Sequence, residues 1–380
     1  MLDRRHFLAV SAAGALVGFA RPASAQAATT LQVYIDGDTN IQNWWRDVVK
    51  PAFEAAHPGL TFNVTVTRGV ASGNVTIGER ALAALQAKAD PQVDYFEEIN
   101  PVNVKGSVEA GLWINFDAQN VPNLAMGNPA AKEQPFRLPY RGSQVLIAYD
   151  SAKIAEAPKS FADVVAFAKA NPGRFTYGRP DKGGSGRNFV VRAVHEANGR
   201  DPSIFRLDNF DAALAEERLQ KAWALLRDLH PHTFGEGTYP AGNTPTLQLL
   251  AQGAVDMIPA WSDQALQAKK QGVLPESVKL VQLQDLALCG GFAYSAIPAN
   301  ATNLEGAMTL ANFMLSKEMQ ISCVREIGGF PGVEWSHLPP ELKAEYIDVI
   351  PVSIPTFPSG DWNKAMNEGW YKNVATNITP

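Results

Sequence analysis

Carboxylates, tryptophans and one glycine-rich turn are the groups in this 380-residue chain whose placement could do chemistry. Asp36, Asp38 and Thr39 follow the β-rich run 31–35, and Arg68 follows the alternating run 62–67. Glu97, Glu98 and Asn100 follow the run 92–96, while Trp261 and Asp263 close the run 255–263. Arg141 precedes the apolar run 145–150, and Trp335 and Trp362 lie toward the end. Carboxylates beside tryptophans suit an organic cation, through ion pairing and cation–π attraction of about 1–2 kcal/mol each where water is excluded. The same mixture suits a sugar or polyol, whose apolar face stacks on tryptophan while its hydroxyls bond carboxylates. An anion is the third choice, held by Arg68, Arg141, Arg187 and the turn 181–187, where Gly184 and Ser185 would offer backbone N–H groups at a helix N-terminus. Each assignment has a plainer alternative. The tryptophans could be core, above all Trp44 and Trp45; Glu97 and Glu98 could be a solvated loop; the glycines could only permit a tight turn.

Catalysis has less support. Asp/Glu pairs and six histidines could supply acid and base groups, but there is no Gly-x-Ser-x-Gly elbow, no His-Glu-x-x-His and no Ser-x-x-Lys. The histidines are scattered, with His230-Pro231-His232 the nearest to a metal pair. The turn 181–187 is not a phosphate loop of the Gly-Lys-Ser/Thr kind. These motifs imply neither a cofactor nor a metal.

Strands and helices must position the candidate groups. Leu31–Ile35, Phe62–Thr67, Gln92–Phe96, Val145–Asp150, Arg174–Gly178, Val255–Asp263 and Gly290–Pro298 read as strands. Asp36–Thr39 reads as a turn and cap for an amphipathic helix through Trp44, Trp45, Val48, Val49 and Phe53. Residues 81–88 read as a second helix. Ser160 and Asp163 form a box-like cap for a third, and Thr244-Pro245 opens another. Strand–helix alternation predicts an α/β fold of mostly parallel sheets flanked by helices, with ligands beyond the carboxyl ends of the strands.

The first 25 residues set the compartment. Arg4 and Arg5, an apolar run from Phe7 to Ala20, and Ala23-Ser24-Ala25 match a cleavable export signal cut before Gln26. Arg4-Arg5-His6-Phe7-Leu8 resembles the twin-arginine motif, with an ordinary Sec signal as the alternative. The run is too short to span a bilayer, and stable membrane insertion is not expected. Without this segment 30 basic and 37 acidic residues remain, which argues against nucleic acid as a partner. About 355 residues exceed one core, so two lobes are expected: 26–145 with 290–335, and 146–289, followed by a helical segment 336–380 packed on them. The absence of a linker fits two strands crossing between nested lobes. Cys289 and Cys323 could pair in an oxidising compartment, adding roughly 3 kcal/mol or more, or remain buried thiols.

The order of signal, Asp-Gly-Asp-Thr turn, acidic post-strand loop, crossing strand and nested lobe resembles the type II extracellular solute-binding proteins of ABC importers. The strings 167–177, 228–231, 297–301 and 311–316, with Gly360-Asp361-Trp362 and Glu368-Gly369-Trp370, resemble the YnjB-type branch over nearly the whole chain. The resemblance implies a monomeric two-lobed clamp in the periplasm. It would close on a small polar solute and pass it to a membrane permease. The post-strand loop departs from relatives, so no role transfers to Glu97 or Glu98. An exported hydrolase on a similar fold, or a sensor feeding a receptor, are the competing readings.

Overall fold

The first strand is set by strict alternation: Leu31, Val33 and Ile35 are buried while the residues between them are not. The computed structural model describes residues 28–380 apart from 68–75, 99–100, 103, 133, 206–209, 348, 351–354, 356 and 359. The export-signal reading, Arg68 and Asn100 lie outside the described residues.

In chain order, β1 (Thr29–Ile35), α1 (Thr39–Trp44), α2 (Lys50–Ala56), β2 (Leu60–Val66), α3 (Ile77–Gln86), β3 (Tyr95–Glu98) and β4 (Leu138–Asp150) come first. Then follow α4 (Phe161–Ala170), α5 (Gly184–Ala197), α6 (Ala212–Leu229), α7 (Asn243–Ala251), β5 (Met257–Trp261), α8 (Ser262–Lys270), β6 (Val278–Val281) and β7 (Gly290–Ala296). The last are α9 (Leu304–Met314), α10 (Lys317–Ile327), β8 (Phe330–Pro331), α11 (Pro340–Glu345) and α12 (Gly360–Asn373). The capping box expected at Ser160 and Asp163 is present. A π-helical stretch, Trp45–Val49, joins α1 to α2 just before Pro51. The wider turn accommodates a residue that cannot donate to the helix ladder, and both adjacent tryptophans, Trp44 and Trp45, are buried there.

The sheet runs β2-β1-β3-β7-β4-β5, with β6 and β8 also paired to β4. Parallel pairing joins β1 to β2 and β3. Every strand paired with β4 is antiparallel to it, so the sheet is mixed. β4 and β7 run side by side in opposite directions, and β4 belongs to two neighbourhoods. Leu138–Gln144 pairs with β7, and Val145–Asp150 pairs with β5 and β6. The expected strand at Arg174–Gly178 is reduced to parallel bridges at Phe175. β6 was not anticipated.

Two large cores flank this crossing. One gathers Trp44, Trp45, Phe53, Phe62, Tyr95 and Tyr140 with Leu310, Met314 and Ile327. The other gathers Tyr149, Phe175, Tyr177, Phe189, Trp223, Trp362 and Trp370. Cys323 belongs to the first and Cys289 to the second, and both are buried free thiols. The disulfide reading is therefore corrected: the two sulfurs serve separate interiors. No described helix is long and apolar enough to cross a membrane.

Candidate functional site

A cavity of about 410 Å³ opens where the two cores meet, within the range usual for small-molecule sites. One wall is the end of β1 and the start of α1: Asp36, Gly37, Asp38, Asn40 and Ile41. The floor is the β4–β7 pair, through Arg141, Ser143 and Gly291–Ala293. The opposite wall is the turn into α5 (Asp181–Gly184 and Arg187) with Asn243 and Trp261, and Phe357 closes one side.

Close approach of backbone explains the glycine-rich turn. A Cβ on Gly184 would lie 2.8 Å from Trp261 Cζ2, one on Gly183 2.6 Å from Asn243 Oδ1, and one on Gly186 1.9 Å from Gly178 O. These glycines let the α5 N-terminus pack directly against Trp261 and Asn243. Asn243 itself follows Gly242, whose φ of 127° is costly for other residues. The α7 helix has Gly242 as its cap, two residues ahead of the expected Thr244.

Asn243 links the two walls. Its Nδ2 donates to Asp38 Oδ2 at 2.6 Å, and its Oδ1 accepts from Ser185 N–H at 2.9 Å and Ser185 Oγ at 2.8 Å. Asp38 stands at the N-cap of α1, yet its side chain makes no capping bond. It is turned toward Asn243 instead. On the floor, Asp263 accepts from Ser143 Oγ at 2.6 Å and from Asn40 Nδ2 at 3.5 Å, with Arg141 Nη1 3.7 Å away. Arg141 Nη2 lies 3.5 Å from Glu97 Oε1, and Arg141 Nε donates to the Tyr140 hydroxyl at 3.0 Å.

Electrostatics follow from burial. Glu97 is fully buried, with Oε2 accepting from Asp36 N–H at 3.1 Å. Burial pushes its carboxyl up to about 7, against the pull of Arg141. Burial, then Asp36 and Glu97, push Glu98 up to about 8. Burial works to lower Arg141, but Tyr140, Glu97 and Asp263 hold it well above the ordinary arginine value. Arg187 is lowered by burial, opposed by Asp36 and Asp181.

The structure brings together Asp36, Asp38, Arg141, Gly184, Trp261 and Asp263 from the sequence-read set. Glu97 lies behind the floor against Arg141, and Ser185 lies behind the far wall against Asn243. Glu98 is half-buried and Thr39 is exposed at the head of α1, and neither lines the cavity. Two assignments are corrected. Trp362 is fully buried in the second core, edge-on to Phe205 and Phe210, and Trp335 packs on the first core in a 3-10 turn. Trp362 is apolar bulk inside a core and Trp335 is a half-buried ring laid against one, and neither lines the cavity. Asn40, Ser143, Asn243 and Phe292 were not singled out, since a polar or aromatic type on a strand or helix start carries no sign of which way it faces. Phe357 arrives from a distant loop with no local signal. Among the described residues there is no group of three or more potential metal ligands.

The profile of a family described as bacterial extracellular solute-binding protein matches residues 49–346. Protein YnjB of Escherichia coli (strain K12) is 26% identical over 293 residues, covering 73% of this chain and 74% of that protein. The solved structure of the Atu4243-GABA receptor superposes with a TM-score of 0.64 at 17% identity, covering 90% of this chain and 96% of that one. A periplasmic thiamin binding protein does so with a TM-score of 0.62 at 16% identity, covering 91% and 96%. At these identities the structural likeness shows the fold, a two-lobed type II binding-protein architecture.

Proposed function

Because this chain belongs to the family of bacterial extracellular solute-binding proteins, we propose that it is the periplasmic capture subunit of an ABC importer, closing two lobes on a small polar solute. The observation that carries this reading is the cavity itself: charged and aromatic side chains from both cores line it, and the Asp38–Asn243 bond spans it. The lobes are 26–145 with 290–335, and 146–289, with the C-terminal segment contributing to both cores. Opening and closing is a hinge equilibrium about β4 and β7, and solute shifts it by touching both walls only when closed. The closed form is the one offered to the permease. Residues 1–25 direct export by the twin-arginine route and are removed.

The cargo carries a positive group. Asp36 and Asp38 on one wall and the Trp261 ring on the other line the same cavity, the two kinds of group that an organic cation needs. The test is a thermal-shift screen of residues 26–380 against thiamin, polyamines, amino acids, sugars, polyols and phosphoesters. A ligand at a hundred times its dissociation constant adds about 2.7 kcal/mol, an easily read rise in melting temperature. Turnover of any of these compounds without stabilisation refutes the capture reading.

A further inference from the structure

We propose that the floor of the cavity, at Asn40 and Arg141, takes an uncharged group of the solute that both donates and accepts hydrogen bonds, a carboxamide or a hydroxyl. This deepens the solute-capture reading and rests on it. Polar side chains from α1, β4 and α8 meet there. Asp263 Oδ2 stands 3.5 Å from Asn40 Nδ2 and 3.7 Å from Arg141 Nη1, while Asp263 Oδ1 is taken by the Ser143 hydroxyl at 2.6 Å. Asn40, Arg141, Ser143 and Asp263 all line the cavity, and none is more than 9% exposed. The carboxylate orients the Asn40 amide: its nitrogen faces Asp263, which leaves Oδ1 as an acceptor. That oxygen is buried and has no hydrogen-bond partner among the described residues. Such an orphan is costly, and Asn40 sits on the buried face of α1 with Ile41 and Trp44, where an apolar residue would carry no such cost.

Arg141 has the complementary need. Its charge is answered by Glu97 and Asp263, but its outer nitrogens are not hydrogen-bonded to either. Glu97 Oε1, 3.5 Å from Nη2, has no hydrogen-bond partner, and the 3.7 Å from Nη1 to Asp263 is beyond hydrogen-bond reach. Nε is engaged, donating to the Tyr140 hydroxyl. The floor thus offers guanidinium N–H groups and an amide oxygen, from two residues that converge on one oxygen of Asp263. Because the charges there are already balanced, a charged solute group is disfavoured. A carboxylate or phosphate would meet Asp263 and Glu97, and an ammonium would meet Arg141, where little water remains to screen them. A carboxamide or hydroxyl adds no charge: its oxygen accepts from Arg141 and its N–H or O–H donates to Asn40 Oδ1. The same solute keeps its positive group elsewhere in the cavity, away from Arg141.

The test is calorimetric titration of residues 26–380 with one scaffold varied at a single end: 4-(aminomethyl)benzamide, 4-(aminomethyl)benzyl alcohol, 4-methylbenzylamine and 4-(aminomethyl)benzoate. The ketone 4-acetylbenzylamine, which accepts but cannot donate, and 4-methylbenzamide, which has no amine, complete the series. The amide or the alcohol should bind tighter than 4-methylbenzylamine by roughly tenfold, the effect of one or two neutral hydrogen bonds, and tighter than the benzoate. The ketone should fall between the amide and 4-methylbenzylamine. Asn40→Leu should erase the difference between amide and ketone. The ketone reads the same contact in the unaltered protein, so a variant that fails to fold does not decide the matter. A benzoate that binds as tightly as the amide overturns the floor assignment and leaves solute capture standing. So does a series in which neither amide nor alcohol exceeds 4-methylbenzylamine. Binding of 4-methylbenzamide with every amine silent supports the floor and overturns the positive cargo. Silence from the whole series, while another solute of the thermal screen binds, overturns the floor assignment alone. Silence from series and screen together, by a protein that unfolds cooperatively, overturns both.

Discussion

The hydrogen bonds of Asn243 give a measurable handle on how the two walls are held together. Replacing Asn243 by alanine removes one bond to a carboxylate, Asp38, and two to Ser185. Ser185 is 1% exposed, so its N–H and hydroxyl cannot turn to water and their loss costs about 1–3 kcal/mol. Asp38 lines the cavity and does rehydrate, which trims its charge-assisted bond to about 1 kcal/mol. Asn243→Ala should therefore destabilise by about 2–4 kcal/mol, and Asp38→Ala by about 1 kcal/mol. The double variant should fall short of the sum by about 1 kcal/mol, because both singles remove the same contact. Urea unfolding of the four proteins, followed by tryptophan fluorescence, supplies the cycle. X-ray scattering of the Asn243→Ala protein should show a larger radius of gyration. A coupling energy of zero, with unchanged scattering, would refute the claim that Asp38 and Asn243 meet across the cavity.

Stability should fall as pH rises from about 4.5 toward 8. Glu97 and Glu98 hold protons in the fold up to about 7 and 8, and the unfolded chain releases them near 4.5. The stability they confer is complete at low pH and lost as pH climbs through those values, on the order of 3 kcal/mol for the fully buried Glu97. Urea midpoints at pH 5 and 8.5 read this, and Glu97→Gln should flatten the slope. Trp261→Ala should weaken solute binding at least tenfold and, because the half-buried ring packs on Gly184 and the second core, lower the melting temperature less than Trp362→Ala does. Trp362→Ala should cost about 3–5 kcal/mol of stability with unchanged affinity for the folded fraction, and the reverse pattern would exchange their roles. Both thiols should resist an aromatic disulfide reagent in the native protein and titrate as two per chain in denaturant, since burial pushes each up to about 12.

Much of the frame was legible because it depends on short-range periodicity. Leu31, Val33 and Ile35 alternate, Ser160 and Asp163 form their cap, and Trp44 and Trp45 ride an apolar helix face. Asp36, Asp38, Trp261 and Asp263 were found by one rule, that residues beyond strand carboxyl ends face the crevice. That rule does not say which side of the sheet a residue faces. Glu97 and Glu98 are neighbours pointing to opposite faces, so one braces Arg141 and the other does not. Aromatic type alone cannot separate Trp261, on the cavity, from Trp362, in an interior. The antiparallel neighbours of β4 also escaped, because β5, β6 and β7 return to one strand from distant parts of the chain.

The strand β4 has a consequence for the order of events in capture. Arg141 and Ser143 sit on the segment paired with β7, next to the point where β4 passes from one core to the other. Under the proposed hinge closure, a solute resting on this floor would keep its contacts whether the walls are apart or together. In the proposed hinge closure, contacts with Asp38 and Asn243 form only as the walls approach. The arrival rate should thus follow the floor and whichever wall is met first. The residence time should follow the remote wall, so substitutions at Arg141 and at Asn243 would separate in stopped-flow traces as changes in association and dissociation.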